Sequence, residues 1–278
     1  MFTLKTNLII AGMFAFAIFT GCGPKEKKVL DEEITTDSAS MEAKVKLDEI
    51  LVNIPSPTEM SRELSKAGFT YNRGVLNSSG KASGYSTNYK AAANLGVYGA
   101  DLGYTTAYDQ SQDAIGYLAV IKQLSDKVGV GNAFDETLVK KFESNIGKKD
   151  SLEAFINMAY EKANRNLRSN QRVSTAAVIV AGGWIEGLYL ASQVTASAVQ
   201  SDKNIDVYKR IWNQLYSFKY VMELLGHYKN NADCAQMIKD LGDVDQLAKE
   251  FERNSTVVQA DIAKISEKIT PLRNQIVN

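Results

Sequence analysis

No proline interrupts residues 58–270, a stretch of 213 positions in a chain of 278. Proline ends helices because it lacks an N–H donor and its ring clashes with the preceding turn. Three of the four prolines lie at or before position 57, and the fourth is Pro271. Such a chain can form long helices, and their breaks must come from glycine or from capping residues.

The 3.6-residue apolar period begins with Leu47, Ile50, Leu51 and Ile54 and stops at Pro55. Ser56, Pro57 and Glu59 then fit the N-cap, N1 and N3 positions of a second helix, a capping box that ends near Gly68. Residues 69–86 carry Asn72, Gly74, Asn77, Gly80 and Gly84 and predict the longest loop. Beyond it, helices are expected over 87–109, 112–128, 135–147, 151–169, 173–200, 205–228, 232–241, 244–253 and 256–276. Gly129, Gly131 and Gly147 serve as stops, and Gly242 is read as a terminal glycine running into a fresh cap at Asp243. In the last segment Val258, Ile262, Ile265, Ile269, Leu272 and Ile276 make a seam of nearly three heptads, with a kink expected at Pro271. Docking of this seam onto the chain's own helices is favoured over a partner chain. No segment alternates convincingly as a strand. The expected fold is all-α: a single multi-helix domain of about ten to eleven helices over 41–278, as an irregular bundle or an α-α superhelix.

Two of these helices are lined with small residues. Ala92, Gly96, Gly99, Gly103 and Ala107 fall in one narrow stripe, and Ala176, Gly183, Gly187 and Ala191 form a matching set. Each internal glycine costs about 1 kcal/mol against alanine, so several together imply a compensating close contact. Both helices are expected to be central. Opposite the first stripe stand Tyr98, Asp101, Tyr104 and Tyr108, a candidate ligand face, with a half-buried amphipathic surface as the plainer alternative. On the second helix Thr175, Gly182, Glu186, Tyr189 and Gln193 form a thin polar strip. Glu186, in an otherwise apolar helix, must be paired or proton-tuned, and an Arg or Lys partner is the commoner answer. Its presence also argues against a membrane span.

Charge and chemistry exclude several classes. With 32 Lys+Arg against 32 Asp+Glu there is no basic excess for a phosphate backbone, and nucleic acid is not an expected partner. His227 is the only histidine, which removes most histidine-based metal clusters, and its place at a helix end suggests a capping role. Gly74 to Lys81 misses the phosphate-loop spacing, and Gly80 to Gly84 misses the serine elbow. No cofactor and no metal are expected. A carboxylate pair acting on glycan, drawn from Asp101, Asp109 and Glu186, is the one catalytic arrangement that needs no histidine.

The first 25 residues have the layout of an export leader: Lys5, an apolar run from Leu8 to Phe19, then Thr20, Gly21 and Cys22. Phe19-Thr20-Gly21-Cys22 resembles the lipobox of bacterial lipoproteins, with Phe19 in place of the usual leucine and Thr20 in place of the usual Ala or Ser. The resemblance implies removal of residues 1–21, acylation of Cys22 with chains such as palmitate, and attachment to a membrane. An uncleaved anchor over the uncharged residues 6–24 is the alternative. Residues 22–40 read as the lipidated terminus and a polar tether. Gly23 is not the aspartate that retains many such lipoproteins in the inner membrane, so the outer membrane is favoured, with its exposed face open. Cys234 is then the one remaining thiol and reads as a core cysteine. The implied function is a membrane-anchored cell-envelope module that binds a ligand or a protein partner. A carboxylate-dependent hydrolase of envelope glycan and an oligomeric structural lipoprotein are the alternatives. The expected partners are the membrane, through the lipid, and a protein or glycan of the envelope.

Overall fold

A computed structural model describes residues 48–169 and 172–278; the leader, Cys22 and the tether lie outside the described residues. After a helical segment at 48–52 come α1 (Pro57–Lys66), α2 (Asn88–Ala107), α3 (Ser111–Lys127), α4 (Glu136–Glu143), α5 (Lys149–Ser169) and α6 (Val173–Thr195). Then follow α7 (Ile205–Tyr216), α8 (Phe218–His227), α9 (Ala232–Asp240), α10 (Gly242–Asn254) and α11 (Ile262–Val277). Short 3-10 turns punctuate the sequence, and no strand occurs among the described residues. The fold is all-α, as the periodicity predicts.

Local chemistry explains most of the boundaries. Ser56 caps α1 by accepting from Thr58 N, with Pro57 in the first turn. Glu59 does not close the expected box, because its carboxylate instead accepts from Arg210 Nη1 at 2.7 Å. An ion pair across the fold replaces a local bond to a backbone N–H. Gly68, Gly129 and Gly147 all adopt positive φ (80°, 77° and 85°) just past helix ends, the left-handed conformation that glycine enters without a Cβ penalty. Gly242 departs from its expected role: α9 ends on Leu241 in the right-handed region and α10 starts directly at Gly242.

Further boundaries differ from the sequence reading, among them the ends of the helices expected over 135–147 and 173–200, which stop at Glu143 and Thr195. The helix expected over 205–228 is two helices broken at Ser217, whose hydroxyl accepts from Trp184 Nε1 at 3.0 Å and donates to Gln214 O at 2.7 Å. A tertiary hydrogen bond therefore sits at the break. The helix expected from 256 starts at Ile262 after a 3-10 turn and runs through Pro271 to Val277 without interruption. The loop expected at 69–86 contains two 3-10 turns, Arg73–Val75 and Ser79–Gly84.

At the centre, α2 and α6 meet along their small residues. A Cβ on Gly96 would lie 2.0 Å from Ile179 O and 2.6 Å from Gly183 N; a Cβ on Gly182 would lie 2.0 Å from Ala93 O. Backbone touches backbone there, which offsets the helical cost of glycine. Gly182 thus belongs to the contact, although the sequence reading placed it on the polar strip. Gly187 instead faces Gln214, and Gly99 faces the Tyr160 hydroxyl of α5.

Around this pair, α1, α3, α5 and α11 pack against α2; α1, α5, α7, α8, α9 and α11 pack against α6; and α10 covers α7. Helix α6 has the length and apolarity to cross a bilayer, yet it is the core helix, with Glu186 fully buried at its middle. The apolar seam of α11 turns inward: Ile262, Ile265, Ile269, Leu272 and Ile276 are buried within the same chain. Cys234 is also buried, donates to Ser174 O at 3.4 Å, and has its thiol pushed up to about 11 by burial.

Candidate functional site

The α2–α6 contact carries its polar groups into the interior. On α2 every residue from Ala91 to Thr106 is buried, so Tyr98, Asp101 and Tyr104 present no open face. Tyr108, at the helix end, is half-buried. Residues 71–85 lie across these side chains as a strap. Tyr98 donates to Ser78 O at 2.6 Å, Tyr104 accepts from Asn72 N at 3.1 Å, and Tyr117 of α3 donates to Asn77 O at 2.8 Å. Tyr71 stacks on Tyr104 with centroids 5.4 Å apart, and its hydroxyl donates to Asp113. Burial raises the phenol pKa values of Tyr98, Tyr104 and Tyr108 above the ordinary range, so all three are neutral; Tyr98 and Tyr104 bond to the strap, whereas the Tyr108 hydroxyl has no hydrogen-bond partner among the described residues.

Beneath the strap, Asp101 and Glu186 meet, each with no exposed surface. Asp101 Oδ2 accepts from Asn77 N at 3.2 Å, and its carboxyl lies within hydrogen-bonding reach of Glu186. Arg273 of α11 grips Glu186 with two bonds, Nε to Oε2 at 2.9 Å and Nη2 to Oε1 at 3.0 Å. The same Nη2 reaches Val75 O in the strap, and the guanidinium stacks over Tyr189 at 4.6 Å.

Two buried carboxylates beside one guanidinium cannot both ionise cheaply. Burial and the Glu186 charge push Asp101 well above the usual carboxylate range; burial raises Glu186 too, and Arg273 opposes the rise at both, gripping Glu186 directly. The two direct bonds from Arg273 favour the charge on Glu186 and the shared proton on Asp101. Placed on Asp101, which has no guanidinium bond of its own, that proton leaves a neutral acid, one carboxylate and one guanidinium.

The structure thus brings Asp101 and Glu186 together and places Tyr98 beside them. Tyr104 and Tyr108 form a separate stack with Tyr71. Asp109 joins neither group and pairs with Lys149 at 3.0 Å. Arg273 is not among the residues expected at the site, and Asn77 is expected only as part of the loop. Arg273 follows Ile269 by four and precedes Ile276 by three, a spacing that puts it on the buried flank of its helix. Fully enclosed, the acid pair can pin the strap but cannot meet a substrate in this conformation.

Open space lies elsewhere. A pocket of about 420 Å³ sits between residues 51–56, α5 and α6, walled mainly by aliphatic side chains and Trp184. A second, more polar cleft of about 330 Å³ lies between α1, the end of α2 and the start of α5. No family model, curated protein or solved structure matches the chain.

Proposed function

We propose that the chain is a lipid-anchored protein of the bacterial cell envelope, held through Cys22 and acting as a ligand-binding or protein-interaction module. The observation that carries the anchor is the apolar run from Leu8 to Phe19 closing on Thr20-Gly21-Cys22, followed by a polar tether. Two or three acyl chains, at about 0.8 kcal/mol per buried CH₂, hold a folded domain firmly on a bilayer. The binding role is supported by the 420 Å³ pocket, which is large enough for a small ligand and is lined in part by residues 51–56, near the first described residue. Enclosure of Asp101 and Glu186 under the strap weighs against glycan hydrolysis by that pair, and burial of the α11 seam weighs against oligomers built on it.

Cys22→Ala tests the anchor. Expressed in a bacterium, the wild type is expected to partition with membranes and to yield an N-terminal peptide that begins at Cys22 and carries acyl mass. The variant is expected to accumulate as an uncleaved, unacylated precursor. A Cys22→Ala protein that is still cleaved after Gly21 and still membrane-bound would remove the lipid tether from this function.

A further inference from the structure

The pocket behind residues 51–56 takes its ligand class from what its wall offers. Ile179, Val180, Gly183 and Trp184 of α6 form one side, and Leu51 and Ile54 close the other. No cationic side chain lines it among the described residues. Its polar groups are already engaged. Ser56 donates to Asn157 Oδ1 at 3.1 Å, Glu59 holds Arg210, Tyr160 donates to Gly96 O at 3.4 Å, and Glu161 pairs with Arg165.

Such a wall discriminates among apolar occupants. An α-helix is about 10–12 Å across, too wide for a cavity of this size. An extended peptide would bring backbone N–H and C=O groups to a surface with few free partners. A hydrocarbon chain brings neither difficulty. Position points the same way: Val52, 81% exposed, belongs to the lining, and the chain arrives here from Cys22, 26 residues before Asp48. At about 3.3–3.6 Å per residue, that spacer keeps the pocket within about 90 Å of the bilayer even when fully extended.

We propose that this pocket binds one acyl chain of a membrane lipid, inserted past Leu51 and Ile54 toward Trp184 with its head group left in water near Val52. The inference rests on the lipid-anchored reading for its source of acyl chains. The Cys22 chains offer the same chemistry, and the experiment separates the two sources.

The chain has two tryptophans, so Trp212→Phe leaves Trp184 as the sole indole reporter. Bromine on an acyl chain quenches indole emission only at near contact, and Trp184 is 2% exposed in the domain. The full-length Trp212→Phe protein is placed in phosphatidylethanolamine vesicles whose acyl chains are brominated. Loss of Trp184 emission relative to unbrominated vesicles is the expected result. A second preparation, acylated in cells fed brominated fatty acid and placed in unbrominated vesicles, reads occupancy by the Cys22 chains. Quenching in that preparation alone overturns the membrane lipid as occupant and assigns the pocket to the Cys22 chains. Val180→Phe fills the pocket from α6 and is expected to restore emission; Ala163→Leu does so from α5 should the first variant fold poorly. No quenching in either preparation, or quenching unaltered by both filling substitutions, overturns the proposal. The mass of the Cys22 peptide is measured on the same samples, so an absent anchor and an absent pocket ligand are told apart.

Discussion

Replacing Arg273 by Met is expected to destabilise the domain by about 3–5 kcal/mol at neutral pH, the usual cost of removing one partner from a buried ion pair. The loss should depend strongly on pH, because the group left behind is an acid pair. In the wild type Asp101 is neutral when folded but titrates near its ordinary value of 3.8 when unfolded. The folded state therefore binds one more proton than the unfolded state between that value and the raised folded pKa. Stability falls with rising pH across this window, by about 1.4 kcal/mol per unit from this group. Without the guanidinium, Glu186 must also fold as the neutral acid, and the slope roughly doubles to about 2.7 kcal/mol per unit. The deficit of Arg273→Met should accordingly be smallest in acid and largest above neutrality. Urea unfolding at several pH values, read as the difference from wild type, checks this. Asp101→Asn supplies the complement: the amide reproduces the neutral acid, so this variant should be tolerated and should flatten the slope. A deficit of Arg273→Met that stays constant with pH would show that Glu186 takes up no proton when its cation is lost, and severe damage from Asp101→Asn at neutral pH would show that the proton is not on Asp101.

Gly182→Ala should be comparably disruptive for a different reason. Its new methyl would meet a backbone oxygen, Ala93 O, at 2.0 Å, and neither central helix can yield without shifting the other. Overpacking usually costs about 1–3 kcal/mol, and a backbone-to-backbone clash belongs at or above the top of that range. Gly116→Ala is the matched control. It lies within α3, a Cβ there would meet nothing within 4 Å, and alanine is the better helix former by about 1 kcal/mol. Thermal melts of the two variants should move in opposite directions. Equal behaviour would mean that α2 and α6 do not touch through Gly182.

Helix content was legible in the sequence because it depends on local signals: apolar period, missing prolines, and glycines at Gly129 and Gly147 that punctuate it. The centrality of α2 and α6 could be read from their small residues, since only a tight contact offsets so many helical glycines. What escaped were decisions made between distant residues. Ser217 breaks a helix where Trp184 reaches it, and Glu59 leaves its cap for Arg210. The tyrosine and aspartate face of α2 suggested a ligand, but the polar groups of Tyr98, Asp101 and Tyr104 are occupied by the strap, 20 or more residues away in sequence. Glu186 was expected to have a basic partner, yet nothing local singles out Arg273, 87 residues further along.

That separation also orders events in time. Asp101 and Glu186 precede their cation in the chain, and Arg273 also reaches Val75, 198 positions earlier. A polypeptide made from its amino end can hold the strap through Tyr98, Tyr104 and Tyr117, but its acid pair has no cation until α11 arrives. Contacts of such range are slow to form. Under the export proposed above, α11 is the last helix to cross, so the closing of this interior waits for the end of the passage.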